Sequence, residues 1–409
     1  MAKKNASTAQ NNWFSKARFG MFVHYGLSSL IGRHEWMMKI ERMPFEEYRR
    51  YADRFMPKNF HPEKWAQLAK AAGMKYMVFT TRHHDGYSLY DSQVSDFTST
   101  KTAAQRDFVA EIVKACRKMG LKVGLYYSLT DWRWKECYKG TPRVKQHRRI
   151  NPEIVDYVHA QVRELCTNYG KIDILWYDGP WPYDAIGWQS KKLNAMARKL
   201  QPGIVINDRA ETPEDFSTPE QQVAGAGPGR MWEANMTLNA NWFWNSHDTY
   251  WKSTGDVIGY LILCACGAGN FMLDIGPKAD GAFPEPAVNR LKEIGKWVKI
   301  NGEAIYGSEP SPFMWQSCGL TTVKGNRIYF HPGLVTATSF HPDARPWSEV
   351  AIGGVKNRLR SATDLGTGKK INFTQQGDRI ILKGLPTKRS GPCNNAIRLD
   401  VVDKPTFCD

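Results

Sequence analysis

Residues 171–181 read KIDILWYDGPW, and this stretch joins a buried strand to a polar end. Four consecutive apolar or aromatic residues, ILWY, are followed by Asp178 and then by Gly-Pro. A short apolar run bounded by turn residues is typical of a strand buried on both faces, as in a parallel sheet. The stretch therefore predicts a buried strand that ends by placing a carboxylate between two tryptophans, Trp176 and Trp181.

Similar runs recur along the first three-quarters of the chain. They are GMFVHYG (20–26), KYMVFTT (75–81), KVGLYYS (122–128), DILWYDG (173–179), GIVIND (203–208) and NFMLDIG (270–276). Helical patterns lie between them, at 62–73, 106–119, 151–169, 188–200, 254–267 and 285–300. Strands alternating with helices over about 300 residues predict an α/β fold with a parallel sheet closed into a (β/α)8-like barrel. Fewer than eight strands are evident, which leaves room for an irregular barrel.

The sequence pattern changes after residue 307. Residues 320–402 contain short alternating runs, such as TTVKGNRIYFHP and DRIILKGLP, separated by Gly, Pro and Asn turns. Runs of this kind predict antiparallel strands. We therefore expect a barrel domain over residues 1–307 and a small antiparallel β-sandwich domain over residues 308–409.

The composition is typical of a soluble globular protein, with 42% hydrophobic and 23% charged residues. No run of about 20 apolar residues occurs, so we expect no membrane span. The first residues, MAKKNASTAQNN, are polar and show no signal peptide. The compartment stays open, because a periplasmic or secreted chain whose leader has been removed would look the same. The eight cysteines form no C-x-x-C pair, and a Cys393–Cys408 disulfide is one pairing that they allow.

Functional groups of such barrels gather at the carboxyl ends of the strands and in the loops that follow. The predicted strand ends supply His24, Tyr25, His83, His84, Asp85, Tyr126, Trp132, Trp176, Asp178, Asn207, Asp208 and Arg209. Aromatic faces stack on the C–H patches of sugars, while histidine, arginine and carboxylate groups bond hydroxyls. The barrel mouth therefore has the chemistry of a polyol pocket.

Each of these residues also has a purely structural interpretation. A strand-end aspartate is often a helix N-cap, and a His-His pair often bonds a loop carbonyl. A metal site built from His24, His83, His84 and Asp85 is disfavoured, because adjacent strand residues point to opposite faces and no i, i+4 pair is present. We expect neither a metal nor an organic cofactor.

Glycoside hydrolysis normally uses two carboxyl groups. Asp178 suits the role of nucleophile, because a strand end holds it rigidly and the flanking indoles exclude water. Its partner is expected in a following segment, and composition alone does not choose among Glu211, Glu214, Asp215, Glu220 and Glu233.

Several longer segments occur in a specific order. They are WFSKARFGMFVHYGLSSL, HEWM, YADRFMPKNFHPEKWAQLAKAAGMKYMVFTTRHHDGYSLYDS, RDFVAEIVKACRKMGLKVGLYYSLTDW, LWYDG, DFSTPEQ and GNFMLDIGPKADG. Their order and spacing resemble the retaining α-L-fucosidases of glycoside hydrolase family 29 over most of residues 13–307. The resemblance implies an exo-acting hydrolase that releases terminal α-L-fucose from glycans, with Asp178 as nucleophile and Glu220 as acid/base. It also implies a set of sugar-binding residues: His24, Glu35, Trp36, His83, His84, Tyr126, Trp176 and Arg209.

Three features depart from the family's pattern or vary within it. The acid/base segment is variable in this family, so Glu214 and Glu233 stay alternatives to Glu220. Residues 241–253, NWFWNSHDTYWKS, differ from the usual Trp-Gly-Tyr pattern, and we expect them to border the leaving-group side. Tyr25 follows His24 where many members carry Trp, and we expect it to keep a stacking role.

Two other functions also fit the sequence: a glycan-binding protein with a degenerate barrel, and a barrel glycosidase acting on another deoxy or galacto-configured sugar. Both candidate carboxylates are present, which favours a fucosidase. The expected partner is a fucosylated oligosaccharide or polysaccharide. A net charge of +16 makes an anionic or sulfated glycan an alternative. Basic residues are spread along the chain, densest in RVKQHRR at 143–149, and no nucleic-acid motif accompanies them, so we expect no nucleic-acid partner.

Overall fold

The structure, a computed structural model, describes residues 13–139, 150–225, 227 and 229–407. The barrel strands are β1 Phe19–Val23, β2 Tyr76–Arg82, β3 Lys122–Ser128, β4 Ile174–Asp178, β5 Val205–Ile206, β6 Phe216–Ser217, β7 Met231–Thr237 and β8 Asn270–Asp274. They form one parallel sheet in the order β5-β4-β3-β2-β1-β8-β7-β6. A parallel bridge between Asn207 and Phe216 joins its two edges. The sheet is therefore closed, and the predicted barrel is confirmed.

The sequence pattern indicates six of these strands and misses β6 and β7. β6 has only two residues, too few for any pattern. β7 reads MWEANMT and carries Glu233 and Asn235 on one face, so it lacks the continuous apolar run of its neighbours. The barrel is irregular where the short strands β5 and β6 meet.

Helices cover the outside of the barrel where the periodicity predicts them. The longer ones are Pro62–Ala71, Phe108–Lys118, Pro152–Thr167, Ser190–Leu200, Thr254–Cys266 and Glu285–Ile305. The shorter ones are Phe14–Ala17, Leu27–Ile31, Met37–Ile40, Phe45–Arg49 and Lys135–Lys139, with a 3-10 turn at Asp208–Ala210. Asn151 caps its helix as the sequence predicts, since its side chain accepts a hydrogen bond from the N–H of Glu153.

Large side chains close the floor of the barrel. The ring of Phe14 lies 4.6 Å from that of Phe216 and 6.0 Å from that of Tyr76. Gly20 of β1 makes room for the Tyr76 ring, which a Cβ at this position would overlap. The floor is therefore a packed core, as is usual in such barrels, and function is left to the opposite end.

Antiparallel strands follow the barrel, as predicted. They are β9 Trp315–Gln316, β10 Gly319–Lys324, β11 Arg327–Pro332, β12 Leu334–Val335, β13 Phe340–His341, β14 Glu349–Ile352, β15 Leu359–Asp364, β16 Lys370–Gln376, β17 Arg379–Lys383 and β18 Ile397–Val401. Eight form a sheet in the order β14-β17-β16-β15-β18-β11-β10-β9, and β12 pairs with β13. One apolar cluster includes Ile352 of β14 and Phe330 of β11, so distant parts of the sheet share a core.

This second unit packs against the last two long helices of the barrel. The indole N–H of Trp297 donates to the carbonyl of Asn394 at 3.0 Å, and the hydroxyl of Thr322 donates to that of Ala304 at 2.7 Å. Near the connection, the guanidinium of Arg18 bonds the side chain and backbone of Ser308. We propose the domain boundary between residues 307 and 308.

Two features singled out in the sequence fall outside the described residues: the basic cluster at 143–149 and Cys408 of the suggested disulfide. Within the described ranges, no helix is long and apolar enough to cross a membrane.

Candidate active site

A cavity of about 250 Å³ lies at the carboxyl ends of the barrel strands. Its walls contain Asp178, Glu220 and the eight sugar-binding residues that the family resemblance implies, drawn from separate strands and loops. The lining residues are Phe22, His24, Glu35, Trp36, His83, His84, Tyr126, Trp176, Asp178, Trp181, Arg209, Glu220, Asn235 and Trp242. Glu35 and Trp36 arrive from the segment after β1, where periodicity gave no signal.

Arg209 connects the two candidate carboxylates. Its Nη1 donates to Oδ1 of Asp178 at 3.2 Å, and its Nη2 donates to Oε2 of Glu220 at 2.8 Å. The Asp178 side chain is 17% exposed and that of Glu220 43%, so Asp178 lies deeper in the cavity. The guanidinium is held in turn by Thr218, whose hydroxyl and carbonyl oxygens accept from it at 2.9 and 3.1 Å.

Tyr126 and Trp176 form the inner wall beside Asp178. The Tyr126 hydroxyl donates to Oδ2 of Asp178 at 2.8 Å. Burial and the adjacent carboxylate raise the pKa of Tyr126 well above its ordinary value, so the phenol keeps its proton and stays a donor. The Trp176 ring stacks near Tyr126, with centroids 5.8 Å apart, and carries the Arg209 guanidinium 5.1 Å above it.

Both histidines of the His83–His84 pair line the cavity, with ring centroids 4.0 Å apart. The opposite-face argument made from the sequence does not apply to this pair. β2 ends at Arg82, so both histidines lie in the loop after the strand, where alternation no longer holds. Nδ1 of His84 lies 2.7 Å from the Ser128 hydroxyl.

Burial and neighbouring positive groups lower the pKa of both His83 and His84 well below the ordinary value. The two rings are therefore neutral near pH 7, and each has one donor and one acceptor nitrogen for hydroxyl groups. Across the described part of the chain, no group of three or more His, Cys, Asp or Glu side chains is arranged to hold a metal ion.

His24 is oriented by Asp274, the last residue of β8, at 2.7 Å between Nδ1 and Oδ1. Burial raises the pKa of Asp274 to about 6, against the opposing effect of His24. Two further buried polar atoms, Oε2 of Glu35 and Nδ1 of His83, have no hydrogen-bond partner among the described residues. Both residues line the cavity, and Oε2 of Glu35 also lies 3.8 Å from Nδ1 of His34.

The sequence analysis missed three lining residues, Phe22, Asn235 and Trp242, and named Trp181 only as an indole flanking Asp178. Phe22 stands two residues before His24 and faces the same side, which the strand period predicts. Trp242 belongs to the segment 241–253, and its ring lies 5.3 Å from that of His24 and 6.2 Å from that of Phe22. Asn235 could not be found because β7 itself was missed.

The predicted stacking role of Tyr25 is wrong. Its ring packs behind the strand, 5.7 Å from Trp65 and 5.4 Å from Phe55, and its hydroxyl donates to the carbonyl of Ala279. As the neighbour of His24 in the chain, it points to the other side and lies outside the cavity lining.

The remaining candidate carboxylates lie outside the cavity. Glu214 accepts from Asn194 at 2.8 Å and pairs with Arg198 at 2.6 Å, and Asp215 bonds the same guanidinium. Glu211 lines a separate open groove that adjoins Arg209.

Glu233 is fully buried in the barrel interior. It accepts from the indole N–H of Trp176 at 3.1 Å and from the hydroxyl of Tyr76. Burial raises its pKa to about 7, although both hydrogen bonds act in the opposite direction. A carboxyl group that is enclosed in this way supports the back of the site and does not face the cavity.

A (β/α) barrel whose mouth gathers carboxylates, neutral histidines and tryptophans around a small polar cavity has the architecture of a glycoside hydrolase. A sequence model of the family Alpha-L-fucosidase matches residues 1–303. The chain belongs to this family, glycoside hydrolase family 29, and is an α-L-fucosidase.

Individual relatives agree with this assignment. The tissue alpha-L-fucosidase of Bos taurus is 31% identical over 416 residues, covering 91% of this chain and 85% of its own. The solved structure of alpha-L-fucosidase isoenzyme 1 from Paenibacillus thiaminolyticus superposes with a TM-score of 0.86 at 34% identity, covering 98% of this chain and 100% of its own. A family 29 enzyme from Bacteroides thetaiotaomicron, trapped as a covalent intermediate with 2-fluoro-fucosyl fluoride, gives 0.85 at 25% identity, covering 96% of each chain.

Proposed function

We propose that this α-L-fucosidase removes terminal α-L-fucose by double displacement with retention of configuration. Ionised Asp178 attacks the anomeric carbon while Glu220 donates its proton to the departing glycosidic oxygen. Glu220 then takes a proton from water, and the resulting oxygen nucleophile displaces Asp178 from the sugar. The free sugar leaves, Asp178 regains its charge and Glu220 its proton, so no group is consumed.

This proposal rests mainly on Arg209, which donates a separate hydrogen bond to each of the two carboxylates. A single guanidinium reaches both carboxylates at hydrogen-bond distance, so they stand on the two sides of one planar group. Retaining enzymes need their carboxyl groups about 5–5.5 Å apart, closer than inverting enzymes do. The covalent intermediate trapped in the related Bacteroides enzyme supports the same two-step route.

The tyrosine beside Asp178 fits the nucleophile role. Tyr126 stays protonated and donates to Oδ2, and Arg209 donates to Oδ1, so both oxygens of the carboxylate accept a hydrogen bond. Glu220 is nearer the entrance, where the leaving sugar must pass. This division of environments is what separates a nucleophile from an acid.

The remaining lining residues are proposed to hold the fucose ring. Neutral His83 and His84, His24 and Glu35 bond its hydroxyls, with Trp36, Trp176 and Arg209 completing the pocket. We propose that Phe22 and Trp242, whose rings lie 6.2 Å apart in the cavity wall, form an apolar surface for the C6 methyl group of fucose. A sugar with a hydroxyl at C6 would have to place it against these rings, which costs about 1–3 kcal/mol in discrimination.

The test is release of nitrophenol from a nitrophenyl α-L-fucoside by wild type, Asp178→Asn and Glu220→Ala, each with and without azide. We expect near-total loss at Asp178 and rescue by azide in at least one variant, with fucosyl azides of defined anomeric form. Glu214→Gln and Glu233→Gln serve as matched controls. If Glu220→Ala stays active while either control loses most of its activity, the acid/base assignment is wrong.

We further propose that anionic or sulfated fucosylated glycans are preferred, on the basis of the net charge of +16. The groove beside Arg209 does not favour anionic glycans. Asp208 and Glu211 line it and would repel an anionic leaving group there. Activity on a charged fucosyl oligosaccharide should fall with salt and exceed that on its neutral counterpart. Equal rates on the charged and neutral oligosaccharides, with no dependence on salt concentration, would refute the proposal.

A further inference from the structure

Asn235 of β7 anchors the segment that carries Glu220. It forms an isolated parallel bridge with Glu220: the N–H of Asn235 donates to the carbonyl of Pro219 at 3.1 Å, and its carbonyl accepts from the N–H of Gln221 at 2.9 Å. Its side chain adds a third bond, from Nδ2 to the same Pro219 carbonyl at 3.1 Å. One buried residue thus fixes the chain on both sides of Glu220.

The part of this segment before Glu220 is held through Thr218, whose hydroxyl donates to Oδ1 of Asp208 at 3.0 Å and, like its carbonyl, accepts from Arg209. β6 ends at Ser217, and Pro219 has no N–H to offer to a neighbouring strand. The side chain of Gln221 adds one tether, donating to the hydroxyl of Thr237 at 3.1 Å. The Arg209 pair with Glu220 acts on the carboxyl group itself, with side chains that are 22% and 43% exposed, and leaves the backbone of the segment to be held by other contacts.

Asn235 is much more deeply buried than the Glu220 side chain. It is 1% exposed, whereas the Glu220 side chain is 43% exposed. Asn235 also lines the cavity, so Asn235 and Glu220 face the same space. Hydrogen bonds in buried surroundings are stronger and more directional than exposed ones, so the anchor sets where the carboxyl group can stand.

We propose that the side-chain amide of Asn235 is a positioning residue for Glu220, holding its carboxyl group at the glycosidic oxygen for proton transfer. The inference rests on the proposed acid role of Glu220. A displacement of about 1 Å in a catalytic group can cost about a hundredfold in rate. The rate should therefore fall only for substrates whose leaving group needs a proton from Glu220.

Leaving groups of different basicity separate this role from a general structural one. A dinitrophenolate departs without a proton, whereas a phenolate or a sugar alkoxide needs one. Asn235→Ala should lower kcat/KM for phenyl α-L-fucoside about tenfold or more, but that for the dinitrophenyl fucoside less than about threefold. Asn235→Leu, which keeps the volume and removes the donor, should behave in the same way.

The matched control is Met236→Ala, a core truncation on the same strand with no polar contact to the Glu220 segment. It should change both substrates equally. Equal losses on both substrates in Asn235→Ala, or the same selective loss in Met236→Ala, would overturn the inference. If neither Asn235 variant folds, Gln221→Ala carries the test, with a smaller selective loss expected and a uniform one contradicting it.

Glu220→Gln separates failure of the inference from failure of the proposed function. If Glu220→Gln lowers kcat/KM, which reports formation of the glycosyl-enzyme, on both substrates alike, the acid role itself is wrong and the inference falls with it. If Glu220→Gln is selective for the poor leaving group and Asn235→Ala is not, only the positioning role of Asn235 is refuted.

Discussion

Replacing Glu233 by glutamine should change how the stability of the protein depends on pH. Burial raises the pKa of this carboxyl group from 4.5 to about 7 in the folded state. Between these values the folded protein keeps a proton that the unfolded chain has lost, so the free energy of unfolding falls as the pH rises. At about 1.4 kcal/mol per pH unit, the total fall is about 3 kcal/mol.

Glu233→Gln removes this contribution while its amide oxygen still accepts from Trp176. The variant should therefore gain about 3 kcal/mol relative to wild type between about pH 4.5 and about pH 8. Asp85 and Asp274, whose pKa values burial also raises to about 6, are present in both proteins, and their contributions cancel in the difference.

The measurement is urea unfolding of the two proteins across this pH range, followed by circular dichroism. Met236→Leu is the control, because it alters the same strand without adding or removing a titrating group, and its difference from wild type should stay constant. A constant difference for Glu233→Gln as well would show that Glu233 is ionised in its buried site, and the electrostatic reasoning given for it would be refuted.

Three further outcomes are expected. Arg209→Lys should lower kcat/KM on a nitrophenyl fucoside about a hundredfold, because a lysine cannot bond both carboxylates in a fixed plane; a loss below about threefold would contradict the bridging role. Trp242→Ala should reduce the preference for an aryl α-L-fucoside over the matching α-L-galactoside about tenfold, and an unchanged ratio of the two kcat/KM values would exclude this ring from the methyl wall. Gly20→Ala should destabilise the protein by about 1–3 kcal/mol in urea unfolding, since the new Cβ overlaps the buried Tyr76 ring; an unchanged midpoint would refute this packing.

The sequence predicts much of this structure because the barrel strands are buried on both faces. Runs such as DILWYDG are apolar throughout and end in a polar residue, so both the strand and its functional end can be located. β7 has no such run, because Glu233 and Asn235 replace apolar residues on its inner face. A strand that supports a polar site from behind therefore loses the pattern by which strands are recognised.

The site residues likewise fall into those that the strand pattern locates and those that it does not. His24, Tyr126, Trp176 and Asp178 follow from strand ends, whereas Glu35 and Trp36 come from a segment whose position depends on tertiary packing and were found only through the family resemblance. Tyr25 and the His83–His84 pair show the limit of strand alternation, which held for Tyr25 and failed for the histidines because they lie in the loop after β2. The point at which a strand ends depends on the neighbouring strand and is not encoded in the run itself.

The junction between the short strands β5 and β6 has few ladder bonds. A single bridge joins Asn207 to Phe216, and on its other side β5 pairs with β4 at only two positions. Insertions or exchanges after Ile206 therefore disturb little of the remaining sheet. The segment that carries Glu220 starts from this junction, so evolution can remodel the glycan entrance here at low cost to folding. A protein engineer seeking new linkage preferences should first vary Glu211, which lines the open groove, and leave Arg209, Thr218 and the anchoring strand β7 intact.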